Sequence, residues 1–239
     1  YKRQGETMAN TTGKKIKDVA IIGGCASLIY LTIGDISYRL SLSRGGLNSK
    51  LITDMVAKSA AKKPKDEYKE KLDSMIDDGA DWFMHQDTEK IIIEKKHRLS
   101  LYADLIRPDK PSNVYIICIH GYTSSPANMG IYAKKYHELG YNVLLPSLRG
   151  HGDSEQDFIT MGWNDRLDVI EWINYIAERH PESKIILHGV SMGAATTMMA
   201  TGEKLPENVK AAIEDCGYTS AWDILGIRLT KSIKLPRFP

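Results

Sequence analysis

The stretch "LHGVSMGAA", Leu187 to Ala195, decides the reading of this chain. It sets Ser191 between Gly189 and Gly193, with the apolar run "KIILHG" before it and the alanine-rich "AATTMMA" after it. A strand therefore runs into a helix through a bend centred on one serine. Glycines on either side let the backbone turn sharply without side-chain clashes. A serine on such a strand–turn–helix lifts its Oγ above the sheet edge, the arrangement of a nucleophile elbow. The helix that follows brings a partial positive charge and a free N–H at Met192. Both favour negative charge developing on a carbonyl oxygen beside the serine.

Working outward, the same alternation continues on both sides. "EKIIIEKKHRLSLYADLI" reads as an antiparallel hairpin with its turn near Lys95–His97. "NVYIICIH", Asn113 to His120, is an unbroken apolar run rich in β-branched residues, the pattern of a strand covered on both faces. A helix is predicted around Ala127–Leu139, stopping at Gly140. "YNVLLP" is the next strand, and "WNDRLDVIEWINYIAERHP" an amphipathic helix with Leu167, Ile170, Ile173 and Ile176 or Ala177 inward. "KIILHG" and "VKAAIEDC" supply two more strands. Strands alternating with helices imply an α/β fold, a mainly parallel sheet with helices on both faces.

A second stretch complements the first. "HGYTSSP", His120 to Pro126, leaves the doubly covered strand. An oxyanion hole needs one N–H after the nucleophile and another from this earlier loop, where Tyr122 stands. His120, at the strand end, is tempting as a general base, but a triad is judged by reach and not by residue type.

With these stretches in order, the chain resembles the α/β-hydrolase superfamily. The likeness covers about Thr88 to Ile227. It rests on "HGYTSSP", on "LRGHGDSE" (Leu148–Glu155) and on "HGVSMGAA". "IEDCGYTSAWDIL" is similar to bacterial members that are membrane-anchored or secreted serine hydrolases of esterase or peptidase type. The resemblance implies Ser191 as nucleophile and the backbone N–H groups of Tyr122 and Met192 as oxyanion donors. It implies a small-molecule or peptide acyl substrate, and a reaction that requires no metal or organic cofactor. It gives His151 a place at the pocket rim rather than in proton transfer.

The departure lies at the end of the chain. Such enzymes carry serine, then an acid, then histidine in chain order. Here all seven histidines precede Ser191, and only Glu203, Glu207, Glu214, Asp215 and Asp223 follow as acids. Asp215, at the exit of the sixth strand, is the candidate acid, with a turn or cap role as its alternative. Stopping at strand six would leave an apolar edge with unpaired backbone groups. The expectation is a hydrolase core whose last strands are missing, and which is nearly inactive alone. The competing reading is a non-catalytic binding or scaffold protein on the same fold.

Upstream of Thr88 the organisation changes. Residues 1–18 form a polar tail with Lys14, Lys15 and Lys17. "VAIIGGCASLIYLTIG", Val19 to Gly34, is sixteen residues without a charge. As a helix it spans roughly 24 Å against about 30 Å of bilayer core, so a signal anchor over 19–40 needs a few flanking residues. Lysines before it favour an extracytoplasmic catalytic domain. "DVAIIGG" imitates a dinucleotide fingerprint, but Cys25 and Leu28, or Ala26 and Ile29, stand where glycines are required. Residues 41–87 read as a helical connector, with Tyr68, Leu72, Met75 and Ile76 on one face and Gly79 as a stop. The hydrolase core then occupies 88–239.

Charge is balanced, 32 Lys+Arg against 30 Asp+Glu, which gives no nucleic-acid surface. Cys118 and Cys216 lie in apolar runs and read as small core residues, and the three cysteines have no metal-ligand spacing.

Overall fold

The computed structural model describes residues 66–95, 99–224 and 226–227, together with most positions between 28 and 44. The chain divides into two compact units, 1–55 and 56–239. In the first, the described residues are mostly helical, with Arg39 Nε donating to Asp35 at 2.8 Å one turn away. Among the described residues no helix is long and apolar enough to cross a membrane. The expected anchor over 19–40 falls largely outside the described residues.

The second unit is built on one six-stranded sheet. Its strands are β1 (Glu89–Lys95), β2 (Leu99–Ile106), β3 (Val114–Ile119), β4 (Asn142–Pro146), β5 (Lys184–Val190) and β6 (Val209–Asp215). They lie in the order β1-β2-β4-β3-β5-β6. β1 and β2 form the antiparallel hairpin, and β2 meets β4 antiparallel. From β4 through β3 and β5 to β6 every pairing is parallel. Ile116, Ile117, Cys118 and Ile119 of β3, and Val143, Leu144 and Leu145 of β4, are fully buried. A parallel sheet needs helices on both faces to achieve this.

One face is covered by α1 (Glu67–Met84), a 3₁₀ turn (Pro126–Met129) and α2 (Gly130–Glu138). Phe83, Ile106, Ile116, Cys118, Met129, Ala133, Val143 and Leu145 form the buried cluster there. Gly79 does not stop α1, which continues to Met84. It marks the crossing with α2 instead: a Cβ on Gly79 would collide with the backbone of Ile131, and one on Gly130 with the Gly79 carbonyl. The apolar face read for α1 is not what docks it. Tyr68, Leu72 and Met75 are 75%, 39% and 47% exposed, while Gly79 and Phe83 are buried. Backbone contact between two glycines, not an aliphatic stripe, docks this helix.

The other face carries α3 (Asp165–Arg179) and α4 (Met192–Thr201). The inward stripe of α3 is Asp165, Asp168, Val169, Trp172, Ile173 and Ile176, and Leu167 points outward at 42% exposure. The helix is rotated from its aliphatic reading because two acids face in. Asp168 takes a bidentate ion pair from Arg149, both distances 2.7 Å, with the two side chains nearly sealed from water. Asp165 Oδ2 accepts from Thr160 Oγ1 at 2.6 Å and from the Gly162 N–H at 2.9 Å. Burial pushes the Asp165 carboxyl up, against those two bonds.

β6 stands at the end of the described sheet, and six of its seven residues are exposed. Cys216, expected in the core, is an exposed free thiol just past its end, whereas Cys118 is buried as expected. The pKa of Cys118 is strongly raised by that burial.

Candidate active site

The parallel strands all point toward one rim, and the backbone is strained there. Five non-glycine residues have positive φ: Thr123, Gln156, Met161, Ser191 and Cys216. Each lies in a loop or bend that follows β3, β4, β5 or β6. Conformations of this kind persist only where the surroundings over-determine them, and they cluster at functional sites.

Ser191 is the first residue past β5, at φ 56° and ψ −113°. Its N–H donates to the Asp215 carbonyl at 2.8 Å, and its own carbonyl accepts from Ala195 at 3.0 Å. The strained serine is thus stapled between β6 and the first turn of α4. Its two flanking glycines are required by packing. A Cβ on Gly189 would collide with the Gly193 carbonyl, and one on Gly193 with the carbonyl of Ile119 at the end of β3. These contacts let α4 start directly above the sheet with Met192 as its first residue, buried.

The loop after β3 closes over the same spot. A Cβ on Gly121 would stand 3.3 Å from Ser191 Cβ and 3.8 Å from its Oγ. The structure therefore brings the loop holding Tyr122 beside Ser191. Gly121 is a close neighbour of Ser191 that the sequence reading did not single out; its signal was the small residue in "HGYTSSP". The next residue, Thr123, has φ 58°. Ser124 N–H donates to the Gly121 carbonyl at 3.2 Å, and Thr123 Oγ1 to the Tyr122 carbonyl at 2.7 Å, making a tight turn.

The histidines near the rim are occupied. His120, fully buried, contacts the Gly121 carbonyl through Nδ1 at 2.9 Å and accepts the Leu148 N–H through Nε2 at 3.0 Å. Burial, and then the neighbouring His151, lower its pKa to about 3. It is neutral, with both nitrogens engaged, and unsuited to be the base. His151 is bonded in the same manner, Nδ1 to the Arg149 carbonyl at 3.1 Å and Nε2 to the Thr123 N–H at 3.2 Å. His188 turns to the α2 face, where its Nδ1 meets Tyr136 Oη at 2.9 Å.

Asp215 is the candidate acid, and its carboxylate is held on that same α2 face: Tyr132 Oη donates to its Oδ2 at 2.9 Å. That contact and burial raise the Tyr132 pKa to about 12, burial being the larger cause. Among the described residues no His/Cys/Asp/Glu group could hold a metal ion.

A strained serine on a strand–helix bend, above a sheet in this order, defines a hydrolase-type α/β fold. A family model described as the alpha/beta hydrolase fold matches residues 114–232. A solved esterase of Pyrococcus furiosus is similar at 28% identity and TM-score 0.55, covering 65% of this chain and 60% of that one. The protein YqkD of Bacillus subtilis strain 168, described as uncharacterized, is 28% identical over 158 residues, 66% of this chain and 52% of that protein. A thermostable monoacylglycerol lipase of Bacillus sp. strain H-257 is 31% identical over 90 residues, 36% of this chain and 34% of the lipase. The chain belongs to the α/β-hydrolase superfamily. It spans about half of YqkD and about a third of the lipase.

Proposed function

We propose that this protein is a serine hydrolase that cleaves a carboxylic ester, thioester or amide through an acyl-enzyme on Ser191. Esters are the favoured class, because the solved relative is an esterase and a curated one a monoacylglycerol lipase. The observation that carries the reading is Ser191 at φ 56°, locked by Gly189 and Gly193, with Gly121 packed against its side chain.

In the proposed reaction Ser191 Oγ attacks the carbonyl carbon and loses its proton to a base. The carbonyl oxygen takes the electron pair and sits between the N–H groups of Tyr122 and Met192. Collapse expels the alcohol, thiol or amine, and water then releases the acid. No histidine follows Ser191, and His120 and His151 are engaged elsewhere. The 239 residues tested alone are expected to keep only the residual catalysis of oxyanion stabilisation and binding, roughly 10³–10⁴-fold over water.

The test is fluorophosphonate labelling of the full-length protein. Labelling at Ser191 is expected, with complete loss in Ser191→Ala and an unchanged unfolding midpoint. Labelling that survives the substitution would overturn the assignment. Absence of labelling and of ester hydrolysis in the native protein would favour a scaffold.

The apolar segment over 19–40 is proposed as a membrane anchor with the catalytic unit outside the cytoplasm. Its described residues Leu28, Tyr30 and Leu31 carry exposed apolar side chains, which supports this. Recovery of the intact protein in the soluble fraction after lysis would sink it.

A further inference from the structure

Two histidines at the rim exchange the same bond. His120 leaves β3 and its Nε2 accepts a main-chain N–H from the loop after β4, that of Leu148. His151 lies in the loop after β4 and its Nε2 accepts a main-chain N–H from the loop after β3, that of Thr123. Each ring then uses Nδ1 on a carbonyl of its own loop, Gly121 for the first and Arg149 for the second. Because both Nε2 atoms face N–H donors, both rings must carry their proton on Nδ1. The rings stand edge to face, with centroids 5.0 Å apart.

This exchange is anchored at one end. Arg149, whose carbonyl receives the His151 proton, is fixed by its bidentate pair with Asp168 of α3. Ser154 Oγ donates to the Ser147 carbonyl at 2.6 Å and accepts the Tyr102 N–H at 3.0 Å, tying the same loop to β2. The loop after β4 is therefore a rigid base. The loop after β3 is a tight turn whose Thr123 sits at φ 58°, a conformation needing outside support.

We propose that His151 is a positioning residue for the oxyanion loop: its bond to the Thr123 N–H holds the Gly121–Tyr122–Thr123 turn, and hence the Tyr122 amide, at the Ser191 hydroxyl. His120 is the reciprocal half, fixing the start of that turn to Leu148. His151 touches no reacting atom; it transmits the rigidity of the Arg149–Asp168 pair to a donor that must be placed to a fraction of an ångström. The inference rests on the serine-hydrolase reading of Ser191, and its test separates the two.

In the full-length protein, His151→Phe keeps the ring's bulk and removes the acceptor, whereas His151→Gln returns an oxygen near the Nε2 position. On a short p-nitrophenyl ester, kcat for the Phe variant is expected to fall roughly ten- to a hundred-fold with KM changed less than about threefold. That is a smaller loss than deleting an oxyanion donor outright, about 10²–10³-fold. The Gln variant should recover most of it, and fluorophosphonate labelling of Ser191 should slow in step with kcat. Native-like kcat in the Phe variant, a loss carried by KM, or equal losses in Phe and Gln would overturn the proposal. Should the Phe variant fail to fold, ¹⁵N spectra of the native protein decide. An unprotonated, hydrogen-bonded Nε2 on both histidines supports the clamp, and the opposite tautomer on His151 refutes it. A native protein without activity or labelling defeats the reading of Ser191, while the spectra still judge the clamp.

Discussion

The rim and the slab beneath it are built on opposite rules. In the slab, most residues of β3 and β4 are buried, β-branched or aliphatic, and in ordinary extended backbone. At the rim, within a few residues, the same chain takes left-handed conformations at Thr123, Ser191 and Cys216 and buries two histidines and an ion pair. The slab is redundant, since many side chains share the work of exclusion. The rim is not, because Thr123 and Ser191 each depend on one or two named partners. Substitutions in the slab should therefore change stability without chemistry, and those at the rim should change both.

The largest expected effect breaks the brace between the two regions. Asp168→Ala leaves the Arg149 guanidinium buried without its partner, at a cost of about 3–5 kcal/mol. Denaturant unfolding should show that loss, and the proposed ester hydrolysis should fall with it because Arg149 supports the loop of His151. The double variant Arg149→Met with Asp168→Leu should regain most of the stability but not the activity. Equal recovery of both would mean that the pair only fills space.

A matched pair of glycine substitutions sharpens the contrast. Gly193→Ala at the rim and Gly130→Ala in the helix layer that covers the slab each push a methyl into backbone, the first against Ile119 and the second against Gly79. Each should destabilise by about 1–3 kcal/mol. Only Gly193→Ala should abolish Ser191 labelling in the protein that remains folded, as it moves the start of α4 and the Met192 amide. Gly130→Ala should label at the native rate. Equal labelling of the two, stability aside, would erase the proposed division.

How much of this was legible follows the same division. The slab could be read because its signals are local: the run "VYIICI", the stop at Gly140 and the bend at Gly189–Gly193 each depend on neighbours in sequence. The faces of α1 and α3 could not. Periodicity put Tyr68, Leu72, Met75 and Ile76 on one face and Leu167 inward, but a glycine–glycine crossing and the Arg149–Asp168 pair fixed the rotation of each helix through partners distant in sequence. At the candidate site, the bend at Ser191 was legible from its flanking glycines. His151 read only as a rim residue, since its partner, Thr123, lies 28 positions away. One signal was present: the dipeptide His-Gly recurs at 120–121, 151–152 and 188–189, each near the exit of a parallel strand.

The smallest effect concerns pH, and it tests whether the rim's histidines are neutral by construction. His120 is held at about 3 rather than 6.5, chiefly by burial and then by His151, against the opposing pull of its Gly121 bond. The unfolded chain takes up that proton as pH falls below 6.5, whereas the folded chain refuses it until about 3. The stability this residue contributes is thus fully present above pH 6.5 and drains away between 6.5 and 3, by about 1.4 kcal/mol per pH unit at most. His188, also lowered by burial, adds in the same direction. Denaturant midpoints measured at pH 7, 6 and 5 should therefore fall for the native protein and fall less steeply for His120→Gln, which has nothing to titrate there. Parallel slopes would mean that a proton can enter the rim without breaking the Leu148 bond. In that event the rigidity attributed to the paired imidazoles would have to come from the Arg149–Asp168 brace alone.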